Sequence, residues 1–251
     1  MNVFFSDLDN TLIYSHRRRI PGKKVPVEML DGKEQSYMTD FTYSFFRNAD
    51  WLPLVPVTTR SEAQYRRLLF PEAFRIRYAL ICNGGKLLAD GEEDPEWSAE
   101  TTELARDDLA DLRELGAILG ELCGREVRAP EEYYYYTKTD EPEKVCEALR
   151  KRNPKGNIRI EHDQRKVYLF PKAIHKGTAV RRFAERFGVR VSAGAGDSMM
   201  DVPMLNETDY PLAAEPVRGF VRNPAAGTLA GEIISDRICL ELEALHQRGI
   251  L

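Results

Sequence analysis

Short apolar runs that end in small polar or acidic residues recur along this chain, and helical periodicity fills the spaces between them. Residues 2–6, which open "NVFFSDLDNTLI", read as a strand with apolar neighbours on both faces. The stretch 25–39, "VPVEMLDGKEQSYMT", alternates on either side of Asp31-Gly32. That dipeptide suits a tight turn, so a β-hairpin is predicted there. Residues 40–49 predict a short helix, and 52–59, "LPLVPVTT", a second buried strand. A helix is predicted over 61–69 with Ser61 as its cap. Residues 78–85, "YALICNGG", predict a third strand that ends in a glycine turn.

The rhythm changes near Gly85. "KLLADGEEDPEW" predicts a hairpin with an acidic tip, and Leu104, Leu109, Leu112, Leu115, Leu119 and Leu122 predict a helix over 100–122. A tyrosine-rich strand, "EEYYYYTKT", a helix over 141–152 and strands at "NIRIEH" and "RKVYLFP" follow. From Ile174 strands and helices alternate again: a helix over 176–187, a strand at "RVSAGAGDS", a helix near 201–206, a strand at "YPLAA" and a helix over 235–247. Alternating strands and helices imply an α/β fold, a Rossmann-like doubly wound parallel sheet covered on both faces. The expected organisation is a discontinuous core, 1–85 and 171–251, with an α+β cap domain inserted at 86–170.

Composition narrows the function classes. The 251 residues are 43% hydrophobic and 30% charged, an ordinary globular balance. The net charge of −4 carries no basic surplus, so the runs at Arg17–Arg19 and Arg150–Arg152 read as solvated faces and no nucleic-acid partner is expected. Four dispersed cysteines form no CxxC pair, which argues against a zinc site or a disulfide scaffold and fits a reducing compartment. No apolar stretch reaches membrane-spanning length, and the N-terminus lacks the pattern of a signal peptide. A cytoplasmic protein with no membrane partner is expected, as a monomer or homodimer.

The chemistry gathers at predicted strand ends. Asp7 and Asp9 stand one residue apart where the first strand stops, so both can face a common pocket if the chain turns there. Thr58 closes the second buried strand, Lys176 starts a helix, and Asp197 and Asp201 stand four apart after a later strand. Ligands of parallel sheets bind outside the carboxyl ends of the strands, which makes these residues candidates for one site. Paired carboxylates suit a divalent cation or acid–base work, while a hydroxyl and a fixed ammonium suit a phosphoryl group.

"DLDNTL", Thr58, Lys176 and "GDSMMD" resemble, in order, the four motifs of the haloacid dehalogenase-like superfamily. The insert after "CNGG" and the run "GDSMMDVPML" resemble its Cof-like and sucrose-phosphate-phosphatase-like branch, which carries a type-IIB cap. The resemblance implies Asp7 as nucleophile and metal ligand, and Asp9 as general acid/base with its backbone carbonyl on Mg²⁺. It implies Thr58, Thr59 and Lys176 on the phosphoryl group, Asp197 on Mg²⁺, and Asp201 and Ser198 as supports. Thr59 departs from the pattern, giving "TTR" where many relatives of this branch have "TGR", and its bulk would narrow the pocket. Arg60 is open between reaching substrate and pairing with an acid. The hairpin at 25–39 is longer than a plain flap of this branch, long enough to cover the site. The implied activity is a Mg²⁺-dependent phosphatase acting on a small phosphorylated metabolite of the sugar-phosphate kind. The alternatives are a phosphomutase of the phosphomannomutase type and a non-catalytic sensor of a phosphometabolite.

Overall fold

A computed structural model describes residues 1–251, in two compact units: Met1–Asp94 with Lys176–Leu251, and Pro95–His175. The first is built on five parallel strands, in the order Gly227–Leu229, Tyr210–Ala214, Val191–Gly196, Asn2–Ser6, Leu54–Pro56. Neighbouring residues on Asn2–Ser6 face opposite sides. Phe4 stacks on Phe46 of the helix Asp40–Asn48, whereas Phe5 meets Phe183 of the helix Lys176–Phe187 edge-on. The sheet is therefore covered on both faces, as its unbroken apolar strands require. Because all five strands run the same way, Ser6, Pro56 and Gly196 end on one edge of the sheet.

Several elements are shorter than their apolar patterns suggest. Only Leu54–Pro56 of the run 52–59 pairs as a strand. The helix predicted over 61–69 covers Glu62–Tyr65, with the Gln64 side chain accepting from the Ser61 N–H at 3.0 Å. Leu68 and Leu69 leave it because the hairpin claims their backbone: the Leu69 N–H donates to the Val27 carbonyl at 2.7 Å, and Glu28 and Leu68 form a β-bridge. Tyr78–Ile81 stays out of the five-stranded sheet apart from a bridge between Val57 and Leu80. It pairs antiparallel with Lys86–Ala89, which in turn pairs with Glu92–Glu93. The strand Gly227–Leu229 and the one-turn helix Glu215–Arg218 are too short to leave a periodic signal.

The hairpin Lys24–Leu30/Lys33–Thr39 turns at Asp31 (φ 51°) and Gly32 (φ 72°), the paired left-handed conformations that a two-residue turn of this hand needs. Its pairing slips on both sides of Glu28, and as a result Val27 and Glu28 are both buried although they are neighbours. A bulge re-aims a side chain in this way.

In the second unit the antiparallel order is Ile158–Asp163, Lys166–Pro171, Tyr134–Lys138, Arg128–Glu131. The helices Leu109–Cys123 and Pro142–Arg150 cover one face through Leu112, Leu115, Leu119, Val145, Cys146 and Leu149. The helix predicted over 100–122 is two, Pro95–Ala105 and Leu109–Cys123, separated by a 3₁₀ turn at Arg106–Asp108. Asp108, at the start of the second, accepts from the Asn157 side chain at 2.8 Å. The tyrosine run alternates: Tyr135 packs into the helix-covered cluster, while Tyr134 and Tyr136 stack on each other on the opposite face. No helix is long and apolar enough to cross a membrane.

Candidate active site

The strand Asn2–Ser6 delivers Asp7 to the edge where the parallel strands end, and the Asp7 N–H still donates to Ala195 of the neighbouring strand at 3.0 Å. The chain then turns tightly. The N–H groups of Thr11, Leu12 and Ile13 all reach the Leu8 carbonyl, and Asn10 adopts a left-handed φ of 62°. This turn brings the buried Thr11 hydroxyl back to 3.0 Å from Asp197 Oδ1 and 3.3 Å from Asp7 Oδ2.

Lys176 opens its helix and enters the same pocket. It is 1% exposed, and its Nζ donates to Asp7 Oδ1 at 2.5 Å and Asp201 Oδ1 at 2.6 Å. Asp201 is saturated: its other oxygen accepts from the Ser198 N–H at 2.9 Å, the Ser198 hydroxyl at 2.8 Å and the Asp197 N–H at 3.2 Å. Two glycines permit this closeness. A Cβ on Gly177 would lie 2.5 Å from the Pro203 carbonyl oxygen, and one on Gly196 would lie 2.3 Å from Asp201 Cβ. Gly196→Ala is therefore expected to displace the Asp201 loop and cost about 1–3 kcal/mol, read by urea melts. An alanine variant of wild-type stability would show that the loop gives way freely.

Thr58 and Asp9 take other positions. Thr58 is buried just beyond the strand Leu54–Pro56. Its N–H donates to Leu80 and its carbonyl accepts from Asn83, both at 2.9 Å. The loop that clamps it, Cys82–Gly84, has positive φ at three successive residues. Thr59 follows, partly buried. The carboxylate of Asp9 is gripped by Arg60 through Nε to Oδ2 at 2.9 Å and Nη2 to Oδ1 at 2.8 Å. The structure thus gathers Asp7, Thr11, Lys176, Asp197, Ser198 and Asp201, while the Asp9 side chain stands with Arg60 beside them. Thr11 and Glu28 escape a sequence reading. Thr11 is one polar letter inside "NTLI", and Glu28 falls at the solvent-facing position of an alternating strand.

Charge in the pocket is unbalanced. Burial disfavours the Lys176 ammonium, but Asp201 and Asp7 outweigh it and hold its pKa above the usual lysine range. Burial pushes Asp7 well above the usual carboxylate range. Lys176 relieves this only in part, and Asp201, Asp197 and Asp9 push it further up. Carboxylate oxygens of Asp7, Asp197 and Asp201 lie within 4.8 Å of one another. One ammonium among these acids leaves a deficit of positive charge, and the donors are all hard oxygens. Such a set suits a hard divalent cation. Asp201 is taken up by Lys176 and loop N–H groups, so Asp7 and Asp197 are the candidate carboxylate ligands.

The comparisons agree with this architecture. A family model for haloacid dehalogenase-like hydrolases matches residues 125–216, the stretch that carries Lys176, Asp197 and Asp201. No curated protein matches the sequence. Among solved structures, the sucrose-phosphatase of Synechocystis sp. PCC6803, determined with sucrose and phosphate, is 15% identical over 98% of this chain and 96% of that one, with a TM-score of 0.61. A haloacid dehalogenase subclass IIB sugar phosphatase is 16% identical over the full length of both chains, with a TM-score of 0.58. Trehalose-6-phosphate phosphatase of Aspergillus fumigatus is 10% identical over 97% of this chain and 92% of that one, with a TM-score of 0.55. With its parallel core and inserted antiparallel unit, the chain shares the fold of these haloacid dehalogenase-like phosphatase structures, and residues 125–216 match the family's model.

Proposed function

We propose that the chain is a Mg²⁺-dependent phosphatase that hydrolyses a small phosphorylated metabolite, of the sugar-phosphate class, through an aspartyl-phosphate. The observation that carries this reading is the buried Lys176 ammonium shared between Asp7 and Asp201, with Asp197 alongside. A structural ion pair needs one acid for one base. An acid-rich pocket at the carboxyl edge of a parallel sheet is suited to a cation and a phosphate.

In the proposed reaction an Asp7 oxygen attacks phosphorus, the ester P–O bond breaks, and a proton carried by Asp9 passes to the leaving oxygen, which departs as an alcohol. Water, losing a proton to Asp9, then attacks the phosphorus of the aspartyl-phosphate; the bond to Asp7 breaks and inorganic phosphate leaves. Thr58, Thr59 and Lys176 hold phosphoryl oxygens, and Asp201 and Ser198 fix the loop that presents Asp197. Asp7, Asp197 and the Asp9 carbonyl would hold Mg²⁺, which when bound would supply positive charge where a carboxylate must approach an anionic ester. The sugar class is supported by the named activities of the structural neighbours, and the inserted cap is assigned substrate selection.

The test is a phosphate-release screen over phosphorylated sugars, nucleotides and glycolytic acids, with Asp7→Asn as the blank. Sugar monoesters are expected to be turned over in Mg²⁺, with the activity lost in EDTA and regained when Mg²⁺ is restored. Silence across the panel, with retained ligand binding, would sink the phosphatase and favour a sensor. A requirement for a bisphosphate activator would favour a mutase.

A further inference from the structure

Arg60 is nearly enclosed, its side chain 9% exposed, although the Asp9 carboxylate it grips is 47% exposed. The reason lies in the hairpin. Glu28, its side chain 3% exposed, accepts from Arg60 Nη2 at 3.0 Å through Oε2, and the same oxygen accepts from the Ser36 hydroxyl at 2.7 Å. Its other oxygen accepts from Arg67 Nε at 3.0 Å. Arg60 Nη1 donates to the Gln64 carbonyl at 3.3 Å. The guanidinium is thus pinned from the hairpin and from the short helix after it, and its remaining edge forks onto Asp9. Burial disfavours an ionised Glu28, yet Arg60, Ser36 and Arg67 together hold its carboxyl below the usual carboxylate range.

An exposed ion pair on its own fixes little, because both side chains rotate and water screens them. A guanidinium already locked by a buried carboxylate is different: its fork has one orientation, and it imposes that orientation on whatever it binds. The bulge at Val27–Glu28 turns this carboxylate inward, and bulges beside active sites commonly re-aim a side chain.

The geometry points to Glu28 as a positioning residue that sets the orientation of the Asp9 carboxylate through Arg60, so that the hairpin controls proton delivery to the leaving group. The inference rests on the assignment of Asp9 as the proton-transfer group. Misplacing such a group matters most where the leaving oxygen needs a proton. A p-nitrophenolate leaves readily without one, and a sugar alkoxide does not.

The experiment compares kcat/KM for p-nitrophenyl phosphate and for the sugar phosphate that the wild type turns over best. In Glu28→Gln, which keeps the shape and loses the charge, the sugar phosphate is expected to fall about 10- to 100-fold and the aryl ester less than about threefold. Arg66→Gln removes a neighbouring exposed arginine that pairs with Glu62 and the Gly91 carbonyl, and is expected to leave both substrates within about threefold. Equal losses on the two substrates, no loss on either, or an Arg66→Gln variant that reproduces Glu28→Gln would each overturn the positioning role. If Glu28→Gln does not fold, Arg60→Lys, which keeps the charge and loses the fork, carries the test with the same expected split and the same overturning result. A wild type inactive on both substrates would strike the phosphatase reading and this role with it; an active wild type with matched losses strikes this role alone.

Discussion

Asp7→Asn is expected to lose turnover by about 10⁴-fold or more, the scale on which removing a nucleophile acts. In metal-free buffer the same variant is expected to be at least as stable as the wild type. The turnover loss follows from the missing nucleophile, and the stability effect from the charge. Burial and three neighbouring acids raise the Asp7 pKa above its unfolded value, against the partial relief given by Lys176. The folded state then binds the proton more tightly than the unfolded state does. Its contribution is fully present below the unfolded value and is lost as pH rises through the raised one. Above the unfolded value the Asp7 carboxyl therefore weighs against the fold, and an asparagine does not. Urea melts in EDTA from acid to neutral pH should show the variant gaining on the wild type as pH rises. Adding Mg²⁺ should narrow the gap by stabilising the wild type. Wild-type turnover in Asp7→Asn would remove the nucleophile from the mechanism. A clear loss of stability would show that the attraction to Lys176 outweighs burial.

How much of this was legible in the sequence depends on where each signal comes from. The helix Lys176–Phe187 and the strand Asn2–Ser6 were readable to the residue because local pattern and burial agree there. The run 61–69 is apolar enough for a helix, but its second half pairs with Val27 and Glu28, and tertiary pairing overrode local preference. The 100–122 helix failed at its start, where Pro95 opens a separate helix and Asp108 begins the next. Among the site residues, Asp7, Lys176, Asp197 and Asp201 stand at element ends that the sequence marks, and the structure brings them together. Arg60 was visible but its partner was not: Glu28 lies 32 positions away, and a period-two reading puts it on the wrong side of its strand. A bulge changes the count by one, and nothing in "VPVEML" announces it.

Lys176→Met is expected to remove turnover together with about 3–5 kcal/mol of stability, the cost of breaking a buried pair from one side. The ammonium's own ionisation does not set a pH limit in the neutral range. Its folded pKa lies above the ordinary lysine value, so its contribution is fully present below that value and fades only as pH rises through the raised one. The deficit of the variant comes instead from Asp7 and Asp201, left facing each other without their shared cation. It should shrink on acidification, as Asp7, whose pKa burial raises, takes up a proton. It should also shrink when Asp201→Asn is added, because replacing both partners removes the uncompensated charge that replacing one leaves behind. The double variant is expected to recover much of the stability in urea melts and none of the activity. Asp201→Asn alone is the reference, because it alters the loop that presents Asp197 and keeps the ammonium. A purely structural lysine predicts a double variant as active as that single variant, whereas a lysine that serves the phosphoryl group predicts recovered stability with activity far below it.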